Sequence, residues 1–188
     1  MMMMRHLAWK DAQTIRPLVV AAVVGIVFLH LTVVVVGAMT TPSASDMAGV
    51  FVSLWILMPN LVALGAPALL VGGEEESGTL NWLRTLPVSW QQVVDSKFLV
   101  GVAAVAATWV AASIVLAIAL SVAGSMNLYE REMVSISGVL NLGFFSLLLL
   151  STGFVTAYLF RSPVTGLITL IPLIMFLYVI ALNVGNWI

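Results

Sequence analysis

The chain has 188 residues, of which 62% are hydrophobic and 8% charged, and none is cysteine. A soluble domain is about 45–50% apolar and about 25% charged, so this composition belongs to a membrane-embedded chain. Lys and Arg number 7 against 8 Asp and Glu, a net charge of -1 that offers a nucleic acid no basic surface, and the missing cysteines exclude disulfide frameworks, thiolate metal sites and cysteine nucleophiles.

Charges are costly at bilayer depth, so the few present delimit the apolar stretches. Five uncharged stretches result, residues 17–45, 47–73, 98–129, 133–160 and 162–188. Each exceeds the roughly 20 residues that a helix needs to cross about 30 Å of hydrocarbon. Trimming turn-forming ends such as Thr40 to Ser43 predicts spanning helices at 17–38, 47–71, 93–123, 134–160 and 163–184. The expected fold is an all-α integral membrane protein, a polytopic bundle forming a single transmembrane domain over residues 1–188.

Ahead of the first span, residues 1–16 mix Arg5, Lys10, Asp11 and Arg16 with Leu7, Trp9 and Ile15, which predicts a surface segment, either a short helix lying on the membrane or a solvated charged leader. A cleavable signal peptide is the competing reading. The apolar run from Pro17 to Val36 is longer than a usual signal core and no clear A-x-A site follows, so a retained helix is expected. Within that helix His30 lies about 20 Å from the start by helical rise. A buried ionisable group at such depth marks a proton or substrate path, or else a neutral histidine bonded to a neighbouring helix, which is the commoner case.

In the second span Pro59-Asn60 and Pro67 interrupt the pattern, and packed proline kinks are expected there. In the third, Ala103, Ala107 and Ala111 form a small-residue stripe suited to close helix packing. Ser162-Pro163 supplies a cap and a first-turn proline, which predicts a tight hairpin between the fourth and fifth spans around Arg161. Positive residues stay cytoplasmic, and a cytoplasmic N-terminus puts Arg5, Lys10, Arg16, Arg84, Lys97 and Arg161 inside and only Arg131 outside. Asp46, Glu130 and Glu132 then fall in short external loops.

The one sizeable polar segment runs from Glu74 to Lys97. Leu80, Leu83 and Leu86 recur near helical spacing until Pro87 stops the pattern, so a short amphipathic helix is expected inside the cytoplasmic loop 74–92. Ser89 and Gln92 then match a capping box, with Val88 and Val93 as the accompanying hydrophobic staple, so a new helix starts near Trp90. Gly78 supplies the backbone freedom to turn out of the second span.

This loop resembles the membrane permeases of ATP-binding cassette transporters, specifically the type-2 exporter family. The residues that carry the resemblance are Glu74 and Glu76, Gly78-Thr79-Leu80, Leu83, Leu86-Pro87-Val88-Ser89 and Lys97. The resemblance implies that Glu74, Glu76, Gly78, Thr79, Leu80, Leu83, Leu86, Pro87, Ser89 and Lys97 form the coupling element that docks on a cytoplasmic ATPase subunit. It also implies an inner-membrane, multi-pass protein that exports a substrate, pairs with a second permease copy or a paralogue, and carries no cofactor itself, the ATP being bound by the partner. Two departures stand out: Trp90 occupies a position where a basic residue is common, and a sixth helix expected after an external segment is missing.

No G-x-x-x-x-G-K-[ST] phosphate loop occurs, and Gly72-Gly73 is followed by three glutamates, so nucleotide hydrolysis is expected on a separate chain. Two alternatives from other classes exist. An intramembrane hydrolase would use Ser137 as nucleophile and His30 as base, although no G-x-S-x-G elbow surrounds Ser137. A non-transporting membrane scaffold would explain the spans and leave the 74–97 loop without purpose.

Overall fold

A computed structural model describes residues 2–40, 44–76, 78, 89–123, 126–160, 165, 168 and 169. In chain order the elements are α1 (Met2–Thr40), α2 (Ala44–Pro67), a π-helical segment (Ala68–Gly72), α3 (Gly73–Glu76), α4 (Trp90–Ala123), α5 (Leu128–Val134) and α6 (Ile136–Phe160). Among the described residues no strand occurs, and four stretches are long and apolar enough to cross a membrane: His6–Thr40, Met47–Gly72, Trp90–Ser121 and Ile136–Phe160. The architecture is that of an all-α polytopic membrane protein. Nearly all of the fifth expected span, 163–184, lies outside the described residues, as do the Arg161 hairpin and the amphipathic helix over Leu80 to Leu86.

Helix α1 continues the first span back to Met2 without a break, so residues 2–16 are turns of the same helix. Pro17 lies inside it and deprives the Gln13 carbonyl of its usual donor. Both residues are exposed. Helix α2 likewise passes through Pro59, while the backbone switches to π geometry directly after Pro67. A π turn admits one extra residue and is frequent at functional sites.

Contacts divide the chain into two compact units, one of Met1–Ile15, Ala63–Gly101 and Leu148–Ile188, the other of Arg16–Val62 and Val102–Leu147. In the first unit Leu70, Val71, Val93, Leu150, Phe154 and Ala157 are buried. Phe98, Phe154, Tyr158 and Trp90 follow one another as ring contacts between α4 and α6 at 5.7, 6.4 and 6.0 Å. The Pro67 ring fits against Gly153, where an added Cβ would stand 2.8 Å from the proline Cγ, so only glycine admits this approach.

In the second unit Ile26 of α1, Phe51, Val52 and Trp55 of α2, and Ala112, Leu116 and Ala119 of α4 form the core. The stripe of α4 that is buried is Ala104, Thr108 and Ala112, while Ala103 and Ala107 are exposed among the described residues. This corrects the expected stripe by one residue, about 100° around the helix. Trp55 is fixed by its indole N–H, which donates to Ser113 Oγ at 3.0 Å, and it meets Trp109 edge-on at 4.9 Å.

Between α4 and α6 the chain forms the short helix α5, where external loop residues were expected. Asn127 and Glu130 make a complete capping box at its start. Ser135, in extended conformation, closes it and opens α6: its hydroxyl donates to the Glu132 carbonyl and accepts the Gly138 N–H.

Candidate functional site

Lys97 stands two turns into α4, is 1% exposed and lies among oxygens from three other elements. Its ammonium donates to Asp11 Oδ1 of α1 at 3.1 Å and to the Leu70 carbonyl of the π turn at 2.7 Å, and Glu74 Oε2 of α3 lies 2.7 Å away. The other oxygen of each carboxylate is also engaged. Ser96 Oγ donates to Asp11 Oδ2 at 3.1 Å, and Lys10 Nζ donates to Glu74 Oε1 at 2.5 Å. Among the described residues two cations face two carboxylates, a pairing that offsets the cost of burying Asp11, Glu74 and Lys97.

The local sequence explains the convergence. Asp11 shares a helical face with Leu7 and Ile15 at spacings of four, so the face that buries Ile15 carries the carboxylate inward with it. The π turn and the short α3 continue the second span just far enough for Glu74 to arrive beside Lys97. Lys97 and Ser96 are adjacent in α4, so one turn of that helix addresses both oxygens of Asp11.

These contacts flank the polar segment. Gly78, just after α3, has φ +71, a left-handed conformation that a Cβ would strain. At the far end Ser89 Oγ accepts the Gln92 N–H at 3.4 Å and the Ser89 carbonyl accepts the same group at 3.0 Å, which starts α4 at Trp90. Of the residues singled out from sequence, Glu74 and Lys97 are brought together, Gly78 and Ser89 form the turn and the cap, and Glu76 closes α3. Thr79, Leu80, Leu83, Leu86 and Pro87 lie outside the described residues. Sequence reasoning missed Lys10, Asp11, Ser96 and the Leu70 carbonyl; the available signal was Asp11 itself, an acid standing on the apolar face of its helix.

The constellation needed for an intramembrane hydrolase is not formed. Ser137 is exposed and bonds Ser135 Oγ at 3.0 Å. His30 is buried, donates from Nδ1 to the Ile26 carbonyl of its own helix at 2.8 Å and stacks on Phe51 with centroids 5.4 Å apart. Its partner is thus its own helix and not a neighbour's polar group. Among the described residues no group of three or more His, Cys, Asp or Glu is placed to hold a metal ion.

Residues 9–182 match a family model described as ABC-2 family transporter protein. No match was found among curated proteins or among solved structures. The matched range takes in the Lys97 cluster and, apart from the first three residues of His6–Thr40, the four long apolar helices. The chain therefore belongs to the ABC-2 transporter family, as a permease-type subunit that crosses the membrane several times.

Proposed function

We propose that this permease is the membrane half of an exporter driven by a separate ATPase chain, and that residues 74–97 are the element through which the two communicate. The observation that carries the reading is the Lys97 cluster. It ties α3, where the loop begins, to α4, where the loop ends, and both to the first turns of α1. A partner seated on the intervening segment pushes against a base that cannot give locally, so its movement passes to α1 and α4 as rigid-body displacement. A chain without a phosphate loop needs that partner to use ATP.

The Lys/Arg asymmetry supports a cytoplasmic N-terminus and a cytoplasmic 74–97 segment in the inner membrane. The transport route is lined either between two copies of the permease or between the permease and a paralogue. The test uses co-expression with a P-loop ATPase encoded beside the permease gene. Leu83→Asp, which puts a charge among the leucines that the sequence spacing assigns to one helical side, should abolish co-purification of the ATPase and transport-linked hydrolysis at matched permease levels. Full binding and full transport by this variant would refute the coupling role.

A further inference from the structure

A second buried carboxylate lies outside the Lys97 cluster. Glu130 of α5 is 5% exposed, and among the described residues no Lys, Arg or His lies within 4.0 Å of it. Among the described residues its oxygens accept only from Asn127: Oε2 from the backbone N–H and Oε1 from the side-chain amide, both at 2.9 Å. A capping-box glutamate needs no burial to do its work. Here it is pressed against α2, where Gly49 makes room; a Cβ at that position would stand 3.0 Å from Oε1.

The carboxylate borders a recess of about 480 Å³ within the second unit, walled by Val50, Leu54 and Leu57 and joined by Ser53 and Asn127. Ser53 Oγ spends its hydrogen on the Gly49 carbonyl at 2.8 Å, so it presents lone pairs. The N–H groups at the start of α5 play no part, because Asn127 already caps them. What remains is one negative charge, one hydroxyl acceptor and the second N–H of the Asn127 amide at the end of an apolar trough. An anion is repelled there, and a neutral alkane leaves the carboxylate without a counter-charge.

We propose that this recess binds a primary ammonium carried on an alkyl chain, the ammonium donating to Glu130 and Ser53 and the chain lying along Val50, Leu54 and Leu57. This site does not depend on the coupling role of the 74–97 loop, and its failure leaves that role untouched. A free amphipathic amine and an aminophospholipid headgroup share the chemistry.

Because the chain has no cysteine, Val50→Cys gives a single reporter in the wall. Its maleimide labelling is followed on the purified full chain in dodecyl maltoside, with octylammonium as probe. Saturating octylammonium should slow labelling at least tenfold, while octanol and tetramethylammonium should not, and a Val24→Cys reporter on α1 should be unaffected. Glu130→Gln keeps a capping-box residue and should raise the half-protecting concentration at least tenfold. Leu57→Trp fills the trough without touching the cap and should do the same, which keeps the test decisive if Glu130→Gln does not fold. Equal protection by octanol, or unchanged protection in both variants, would overturn the proposal. Added phosphatidylethanolamine, compared with phosphatidylglycerol, separates the sources. Glu130-dependent protection by the former alone identifies the lipid headgroup, and its absence alongside octylammonium protection identifies a free amine.

Discussion

The two units hold their helices together with different chemistry. In the first, four charged side chains converge among the described residues, with Lys97 and Asp11 almost fully buried. In the second, the interhelical bonds are neutral: Trp55 donates to Ser113 at 3.0 Å, and Trp109 to Ser146 at 3.0 Å, whose hydroxyl donates to Asn60 at 2.8 Å. Neutral bonds are inexpensive to desolvate and individually weak inside a bilayer, so several can be lost without collapse. A buried ion network is the reverse: it adds little over an apolar core while intact and is costly to break at one partner. The charged arrangement occurs where α1, α3 and α4 meet, and the neutral one where helices pack along their length.

Removal of the central ammonium is the strongest way to break that contrast. Lys97→Met leaves Asp11 and Glu74 facing each other, and breaking a buried pair costs about 3–5 kcal/mol. The expected result is a large loss of monodisperse protein in mild detergent and a lowered unfolding midpoint. Adding Asp11→Leu to Lys97→Met should recover most of the loss, since Glu74 keeps Lys10 and an apolar replacement of the buried pair is tolerated. Failure of the double variant to recover would show that Lys97 acts as more than a counter-charge.

Single hydrogen bonds and the exposed cation of the cluster should matter less. Ser89→Ala removes the side-chain cap of α4 and should cost about 1 kcal/mol, read as a modest drop in thermal midpoint with insertion intact. Ser146→Ala in the second unit removes the link between Trp109 and Asn60; interhelical bonds of this kind average about 0.6 kcal/mol, so its midpoint should move less than that of Ser89→Ala. Lys10→Met removes the outermost member of the ion cluster, whose side chain is 41% exposed, and should cost about 0.5 kcal/mol or less once solvent screening is counted. A loss from Lys10→Met as large as that from Lys97→Met would mean that the cluster is not organised around Lys97.

Much of the fold is legible from hydropathy and charge alone, because bilayer physics leaves helices as the economical solution for long apolar runs. The turn at Gly78 and the helix start at Ser89 are equally readable, since each rests on one residue's backbone or hydroxyl chemistry. Which small residues pack is harder. Ala103-Ala107-Ala111 and Ala104-Thr108-Ala112 are near-equivalent stripes, and only the partners of α4 select the second. The break at Ser135 has no proline or glycine to announce it, while the Asn127-to-Glu130 spacing was a readable capping signal that a simple loop assignment overlooks. At the candidate site, Glu74 and Lys97 stand out by motif, whereas their convergence with Asp11 spans 86 positions and follows from packing that no local pattern encodes.

On the proposed function, the segment between Glu74 and Lys97 lies in the cytoplasm and touches the ATPase. Asn81→Cys tests both parts at once in an otherwise cysteine-free chain. A membrane-impermeant maleimide applied to intact cells should leave position 81 unmodified, the same reagent should label it in inverted vesicles, and a short bifunctional crosslinker should join it to the co-expressed ATPase. Labelling of position 81 from outside intact cells would contradict the account.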